Sequence, residues 1–181
     1  MRITASFTLL AMAAALGLSA CSARQRHEGM AEQRDALAAS LRPEIKMDQV
    51  KVDDLGNGIR VRITDELLYV PGSVEIDAKG RTALGKVVSQ LAAMAAKDYE
   101  IDVVGHTDNV PVGPRLAERY PTNWELAAAR ATLVVRFLQD NGVNPAKLEA
   151  ISDGEYHPSA SNDSVAGRAQ NRSTDLVLRP H

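Results

Sequence analysis

Alternating apolar and polar residues predict a β-hairpin at the start of the folded part of the chain. The stretch "QVKV", from Gln49, and the stretch "IRVRIT", which ends at Thr64, alternate with a period of two, as in strands that bury one face. Between them, "DDLGNG" supplies residues that favour turns. The alternation places Ile59, Val61 and Ile63 on the face that points to the core.

Two later segments carry apolar residues at helical spacing. The first runs from Ala78 to about Ala96. Its apolar positions are Leu84, Val87, Val88, Leu91 and Met94. The second begins after Thr122, where Glu125 three residues on completes a capping-box pattern. Its apolar positions are Leu126, Leu133, Val134, Phe137 and Leu138. Gly142 is expected just beyond its end, because glycine adopts the left-handed conformation found there.

Three further strands complete the predicted order of elements. The segment 99–105, "YEIDVVG", is nearly continuous in apolar character and predicts a central strand, and 147–154 and 173–179 predict two more. A polar loop with a helical turn is expected over 155–171. The order predicts an α/β (α+β) fold with a mixed sheet. Its βαβαβ core implies neighbouring parallel strands joined by helical crossovers, with the helices packed on the sheet.

The N-terminal residues have the pattern of an export signal. Arg2 precedes the apolar run "FTLLAMAAALGL", which is too short to span a bilayer comfortably. The next residues, "LSAC", match the bacterial lipobox, in which the cysteine thiol receives a lipid. We therefore expect residues 1–20 to be a lipoprotein signal peptide and Cys21, the only cysteine, to be lipidated. The alternative is an ordinary signal peptide cleaved near Ala20. Ser22 stands where an inner-membrane retention signal has Asp, which favours the outer membrane.

The segment that follows the lipobox predicts a spacer. Residues 21–48 are polar and rich in alanine, and we expect a flexible tether with one short helix near 28–41. Its apolar positions form only a weak stripe, made by Met30, Leu37 and Leu41. The folded domain is expected over residues 49–181.

The composition and the motifs of the chain exclude several kinds of functional site. The formal net charge of −2 argues against nucleic acid as a partner. The four histidines are scattered and the single cysteine belongs to the lipobox, so no metal site is predicted. No nucleophile motif or glycine-rich phosphate loop is present in the sequence. Asp153 and Glu155 could be a pair of carboxylates for glycan cleavage, but a solvated turn fits them better. We therefore expect no catalytic residue and no cofactor.

Three residues in two parts of the chain point to a binding site. Arg130 lies four residues after Leu126 and four before Val134, within the apolar stripe of its helix. A guanidinium there needs a carboxylate, which either the protein or a ligand could supply. Thr107 and Asp108 follow the central strand, at the end where helix-flanked sheets bind ligands, although a turn or cap would also explain Asp108.

A third polar cluster precedes the last strand. The stretch "GRAQNRS", residues 167–173, carries two arginines and an asparagine. It is either an ordinary polar edge or a basic wall of the same cleft.

These motifs together resemble a known family. The stretches "GHTDNV", "NWELAAARA", "DGE" and "GRAQNRS" occur in the order and spacing of the OmpA-like peptidoglycan-binding domain, over roughly residues 50–178. "HTDNVPV" and "YPTNWELAAARA" are most similar to the branch in the flagellar stator protein MotB, whereas the lipobox is similar to that of Pal-type lipoproteins. The resemblance implies a two-layer sandwich of helices on a mixed sheet.

The resemblance also implies a ligand, the stem peptide of peptidoglycan at its diaminopimelate residue. By matching position, Asp108 would receive the ammonium group and Arg130 the carboxylate, which a ligand would then supply. Thr107 and Asn123 match polar residues of the pocket, and Leu126 matches an apolar wall.

The last cluster matches the family in part. Arg168, Asn171 and Arg172 match the family pattern "R-x-x-N-R-R", whose final arginine is Ser173 here. The stretch "LLYVPGS" also departs from the usual "LLFDSGS", and predicts a changed loop near the pocket.

The leading functional prediction is a non-catalytic tether between two layers of the cell envelope. A lipid on Cys21 would hold the outer membrane, and the periplasmic domain would bind the wall noncovalently. The alternative is a regulatory lipoprotein whose segment 22–48 captures a periplasmic or inner-membrane protein partner. A peptidoglycan hydrolase is a third hypothesis with little support. A stator role is disfavoured because it needs an intramembrane segment with a proton-carrying acid.

Overall fold

The computed structural model describes residues 28–181; the expected signal peptide and Cys21 lie outside this range. Five strands form one sheet. They are β1 (Val50–Asp54), β2 (Ile59–Thr64), β3 (Tyr99–His106), β4 (Leu148–Gly154) and β5 (Ser173–Pro180). The longer helices lie between strands or before them. The described helices are α1 (28–40), α2 (Arg42–Lys46), α3 (Asp65–Leu68), α4 (Ala78–Ala95), α5 (Pro114–Ala117), α6 (Asn123–Asp140) and α7 (Val165–Asn171), with a 3-10 turn at Pro145–Lys147.

The sheet is mixed, and its order is β1-β2-β5-β3-β4. β1 and β2 form the predicted antiparallel hairpin, while β3 and β4 are parallel neighbours joined through α6. The α/β fold and the mixed sheet are thus confirmed. One detail was wrong: β2 and β3 are not neighbours, because β5 lies between them and runs antiparallel to both. The pattern of a strand reports its burial but not its place in the sheet.

The inner face of the sheet and the helices share one core. Ile59, Val61 and Ile63 of β2 are almost fully buried, as the alternation predicts. They pack in one cluster with leucines of α4 and α6, such as Leu84 and Leu138. Across the sheet, Val61 lies opposite Leu176, which lies opposite Val103, and all three are buried in that cluster.

The predicted helix signals are present in the structure. The Thr122 side chain accepts a hydrogen bond from the Trp124 backbone amide, and the Glu125 carboxylate accepts one from the Thr122 amide at 2.8 Å. These contacts satisfy amides that lack partners inside the helix. Gly142 follows α6 with φ of +97°, the left-handed conformation expected at this position.

The N-terminal helix is present where the sequence predicts it, but its position differs from expectation. A flexible tether with one short helix near 28–41 was expected over 21–48; residues 28–40 are helical, and this helix packs on the domain. Leu37 and Leu41 are fully buried in the main core. Ser40 Oγ accepts a hydrogen bond from Gln90 of α4 at 2.9 Å. The reason is that Leu37 and Leu41, at i and i+4, lie on one face of a helix, so two buried leucines suffice to dock it. Within residues 28–181, no helix is long and apolar enough to cross a membrane.

Candidate functional site

A cleft of about 370 Å³ opens beside the carboxyl end of β3. The loop after β3 forms one wall and the first half of α6 forms a second. The third wall comes from two arginines of the stretch 167–173, "GRAQNRS". Seven of the eight residues predicted from the sequence line it. They are Thr107, Asp108, Asn123, Leu126, Arg130, Arg168 and Arg172. The remaining lining comes from the loop "VPVG", residues 110–113.

A glycine holds these walls together. Gly105 of β3 lies so close to α6 that a Cβ atom there would be 2.4 Å from the carbonyl oxygen of Ala127. Only a residue without a side chain permits that approach. It brings α6, which carries Arg130, next to the loop that carries Asp108.

Asp108 is buried and oriented by its own loop. Only 7% of the surface of this residue is exposed to solvent. Oδ1 accepts a hydrogen bond from the Val110 amide at 3.0 Å, and Oδ2 accepts one from Arg172 at 2.8 Å. The carboxylate therefore combines the turn role considered from the sequence with a second contact to a cation that also lines the cleft.

Arg130 has an acidic partner within the protein. Its guanidinium donates to Asp65 Oδ2 and, at 3.3 Å, to the Ser73 carbonyl oxygen, and it lies over the Tyr69 ring at 5.0 Å from the ring centre. The sequence left open whether protein or ligand supplies the carboxylate. The structure shows that Asp65, the first residue of α3, supplies it in the free protein.

Asp65 is a buried acid whose pKa is affected by two opposing influences. Burial raises the pKa of Asp65 to about 6, although the neighbouring Arg130 acts to lower it. Its Oδ1 atom has no hydrogen-bond partner, and neither does Nε of Arg130. The pair is therefore incompletely satisfied, and the guanidinium retains capacity for another acceptor.

Three arginines and one carboxylate line the cleft. Arg130, Arg168 and Arg172 line it together with the single carboxylate of Asp108. Arg172 bridges Asp108 and Glu66, with a distance of 2.5 Å to the Glu66 carboxylate. Asp65 and Glu66 pair with two of these arginines from behind the lining, so the cleft suits a ligand whose ammonium and carboxylate groups exchange with these internal pairs.

Asn123 and Thr107 are two buried polar residues of the lining, and they make different contacts. The Asn123 amide donates to the carbonyl oxygens of Asp108 and Val110 at 3.2 and 3.1 Å, which fastens the loop after β3 to the start of α6. The Thr107 amide donates to the Gly154 carbonyl oxygen at 2.8 Å. Its hydroxyl is buried without a partner and lies among the residues that line the cleft.

Asn171 has a supporting place outside the cleft. Its Oδ1 accepts from the amides of Ser159 and Ala160, each at 2.9 Å, and its Nδ2 donates to Asn162 Oδ1 at 2.9 Å. These hydrogen bonds hold the loop that contains Ser159, Ala160 and Asn162. The backbone carbonyl oxygen of Asn162 accepts a hydrogen bond from Arg168 at 2.6 Å. The predicted ligand contact of Asn171 is therefore not part of the observed lining. Ser173 is also buried and away from the lining.

Sequence reasoning missed the acidic residues behind the cleft. Asp65 and Glu66 begin α3, directly after β2, and each pairs with an arginine of the site. Tyr69 ends that turn, and its hydroxyl pairs with Thr174 at 2.8 Å. The stretch "TDELLY" could have indicated them, because two acidic residues lie there between a half-buried strand and an apolar turn.

A metal site finds no support in the described part of the chain. Residues 28–181 contain no group of three or more His, Cys, Asp or Glu placed to hold an ion. His106 lies 3.4 Å from Asp175 and 3.7 Å from Asp153, but Asp175 is already held by Arg62 at 2.8 Å.

The chain is similar to several envelope and motility proteins. It is 30% identical to the motility protein B of Bacillus subtilis, over 73% of this chain and 49% of that protein. It is 26% identical to the probable lipoprotein YiaD of Escherichia coli, over 84% of this chain and 65% of that protein. The chain thus spans about half to two thirds of the length of these relatives.

Solved structures agree with the fold. A putative MotB-like protein from Desulfovibrio vulgaris superposes with a TM-score of 0.77 at 25% identity, covering 88% of this chain and 96% of that one. The cell wall anchor of the type VI secretion system of Pseudomonas aeruginosa gives 0.70 at 29%, covering 80% and 97%. Residues 68–172, which contain the cleft, match the OmpA family. The chain belongs to the OmpA family.

Proposed function

We propose that the cleft binds the diaminopimelate-containing stem peptide of peptidoglycan, noncovalently and without catalysis. The observation that carries this proposal is that Asp108 and Arg130 line one cleft with two further arginines. Diaminopimelate has ammonium and carboxylate groups that match one acid and several guanidinium groups. The structural relative from Pseudomonas aeruginosa is itself named as a cell wall anchor.

Binding would exchange partners inside the cleft. In the free protein, Asp108 forms an ion pair with Arg172, and Arg130 forms one with Asp65. A ligand ammonium would bind the buried Asp108 carboxylate, and a ligand carboxylate would bind the guanidinium groups. The internal partners keep both charges compensated until the ligand arrives, so that neither is left buried alone.

Replacement of Asp108 by asparagine tests the proposal. We expect the soluble chain 22–181 to co-sediment with diaminopimelate-type peptidoglycan and the Asp108→Asn variant to bind about 10- to 100-fold more weakly, because a hydrogen bond to a charged group is lost. Asparagine retains the oxygen that accepts from the Val110 amide, so the loop should keep its shape. Pelleting assays over a range of wall concentrations give the affinity.

A matched control is present on the same helix that bears Arg130. Asp140 is an exposed carboxylate at the other end of α6, and Asp140→Asn should pellet as the unsubstituted chain does. Equal pelleting of Asp108→Asn and Asp140→Asn would show that the ligand binds elsewhere.

We also propose a lipid anchor, which completes the role as a tether of the outer membrane to the wall. Its support is the "LSAC" lipobox and the single Cys21, which lies outside the described residues, together with the relative named as a probable lipoprotein. Several acyl chains on one cysteine would give stable membrane association. The domain would then work from the periplasmic side of the outer membrane.

Cys21→Ala tests the anchor. We expect the variant to move from the outer-membrane fraction to the soluble periplasmic fraction, because the thiol that accepts the lipid is gone. Fractionation followed by immunoblotting measures this. Ser22→Ala is the matched control, and it should remain in the membrane fraction. Retention of Cys21→Ala in washed membranes would refute the lipid anchor.

The motility-protein relatives favour a second candidate, a lipoprotein whose wall binding controls a partner protein. That partner was expected to contact residues 22–48. Leu37 and Leu41, the apolar residues best suited to such a contact, are already buried in the core of the domain. For this reason we place the tether first.

A further inference from the structure

An aromatic platform lies beside the cleft. Trp124 and Tyr156 stack on each other with ring centres 5.2 Å apart and planes inclined by 24°. Nevertheless Trp124 is 44% exposed and Tyr156 is 60% exposed. Large aromatic rings usually bury their area in a core or an interface, so a stacked pair at the surface is a candidate place for another molecule to bind.

The platform and the cleft share their backbone supports. Asn123, which lines the cleft, directly precedes Trp124, and its amide donates to Glu155, the residue before Tyr156, at 2.5 Å. Gly154 lies under the Trp124 ring, since a Cβ there would be 3.4 Å from the ring. The Gly154 carbonyl oxygen accepts from Thr107 of the cleft. The two surfaces are therefore adjacent and rigidly connected.

The Trp124 segment is fixed independently of any ligand. The Ser152 hydroxyl donates to the Trp124 carbonyl oxygen at 2.9 Å, and the Trp124 amide donates to Thr122 at 3.2 Å. Because its backbone is fixed and an aromatic side chain has only two rotatable bonds, Trp124 loses little conformational freedom on binding. Polar residues that can bind hydroxyls are close to Trp124 or Tyr156 in the chain, namely Asp153, Glu155 and His157.

We propose that this platform binds a pyranose ring of the glycan strand of the same peptidoglycan polymer. Aromatic faces carry partial negative charge, and the axial C–H groups of a pyranose carry partial positive charge, so the flat face of the sugar packs on the rings while its hydroxyls remain free to meet polar groups or water. Two rings alone offer too little area for a protein interface. The inference rests on the proposed function, because the stem peptide in the cleft would carry its sugar to this neighbouring surface.

The chain contains a built-in reporter, because Trp124 is its only tryptophan. Three probes separate the two parts of the ligand: the sugar-free stem peptide, the disaccharide-linked stem peptide, and the peptide-free tetrasaccharide of β-1,4-linked N-acetylglucosamine. We expect the disaccharide-linked peptide to change Trp124 emission and to bind about 3- to 10-fold more tightly than the sugar-free peptide. The sugar-free peptide should leave the emission nearly unchanged.

Tyr156→Ala should remove this gain and leave the affinity for the sugar-free peptide unaltered. Tyr120→Ala is the matched control, because Tyr120 is half-buried and its ring meets Arg119 instead of another ring. Equal affinities of the two peptides for the unsubstituted chain, or equal loss of both in Tyr156→Ala, would overturn the platform while leaving the stem-peptide site intact.

The remaining outcomes separate this inference from the proposed function. A tetrasaccharide that shifts Trp124 emission equally in the unsubstituted chain and in Asp108→Asn would support the platform on its own. If that occurred while the sugar-free peptide failed to bind, the platform would stand and the stem-peptide site would fall. Failure of all three probes would overturn both.

Discussion

Replacing Arg130 with methionine is expected to lower the free energy of unfolding by about 3–5 kcal/mol at pH 7.5. Methionine keeps most of the side-chain volume, but it leaves the Asp65 carboxylate buried without its cation. Removal of one partner from a buried ion pair typically costs this much because the remaining charge is uncompensated. Urea-induced unfolding, followed by circular dichroism, measures the change.

The loss of stability caused by Arg130→Met should be smaller at acidic pH. The direction of this pH dependence follows from the pKa of Asp65. Burial raises this pKa to about 6 from the ordinary value of 3.8. A carboxyl group with a raised folded-state pKa gives its full stability below the unfolded value and loses it as the pH rises through the folded value. At pH 4, Asp65 is protonated in both chains, so the loss of Arg130 should cost far less. An equal cost at pH 4 and pH 7.5 would show that packing, and not charge, is responsible.

Two controls complete this experiment. Arg136→Met removes an exposed arginine of the same helix and should change stability by less than about 0.5 kcal/mol. The double variant Asp65→Leu with Arg130→Met replaces the whole pair by apolar side chains, which is often neutral or stabilising. Since this double variant should fold, it also allows the contribution of the Arg130 guanidinium to wall binding to be measured without a loss of structure.

Replacing Gly105 with alanine is expected to destabilise the domain by about 3 kcal/mol, the upper part of the range for overpacking. The new Cβ would lie 2.4 Å from the Ala127 carbonyl oxygen, and this contact is between two backbones. No side chain can rotate away, so α6 and β3 must separate. Wall binding should fall as well, because Arg130 and Asp108 lie on the two sides of that contact.

Gly85→Ala is the matched control for Gly105→Ala. Gly85 lies on the exposed face of α4, where an added Cβ meets no atom within 4 Å. Alanine should stabilise this helix by roughly 0.5–1 kcal/mol, because glycine loses more conformational freedom on folding. Unfolding curves of both variants, recorded side by side, test the pair. A Gly105→Ala chain as stable as the unsubstituted one would show that α6 can shift freely.

Periodicity predicted most of the elements, because local patterns control them. The alternation in β2 and the capping box of α6 both act within a few residues, and the structure confirms both. The place of β5 between β2 and β3 depends on contacts between residues far apart in the chain. No local pattern in the sequence encodes that pairing.

The candidate site shows the same division. Arg130 was recognised because it interrupts an apolar stripe, and Asp108 because it follows a buried strand. Their internal partners, Asp65 and Arg172, are 65 and 64 residues away along the chain, and only the folded sheet brings them together. The short helix near 28–41 was predicted, but its docking was not, because the surface that buries Leu37 and Leu41 is formed by residues far away along the chain.

The central position of β5 has a consequence for the timing of folding during synthesis. Until residues 173–180 have been made, the β1–β2 pair and the β3–β4 pair have no strand between them to join their edges. Two-stranded pairs are at best marginally stable in water, and the missing contacts span most of the domain. A nascent chain that lacks β5 should therefore stay largely unfolded, a state that the proposed export through a narrow channel would require.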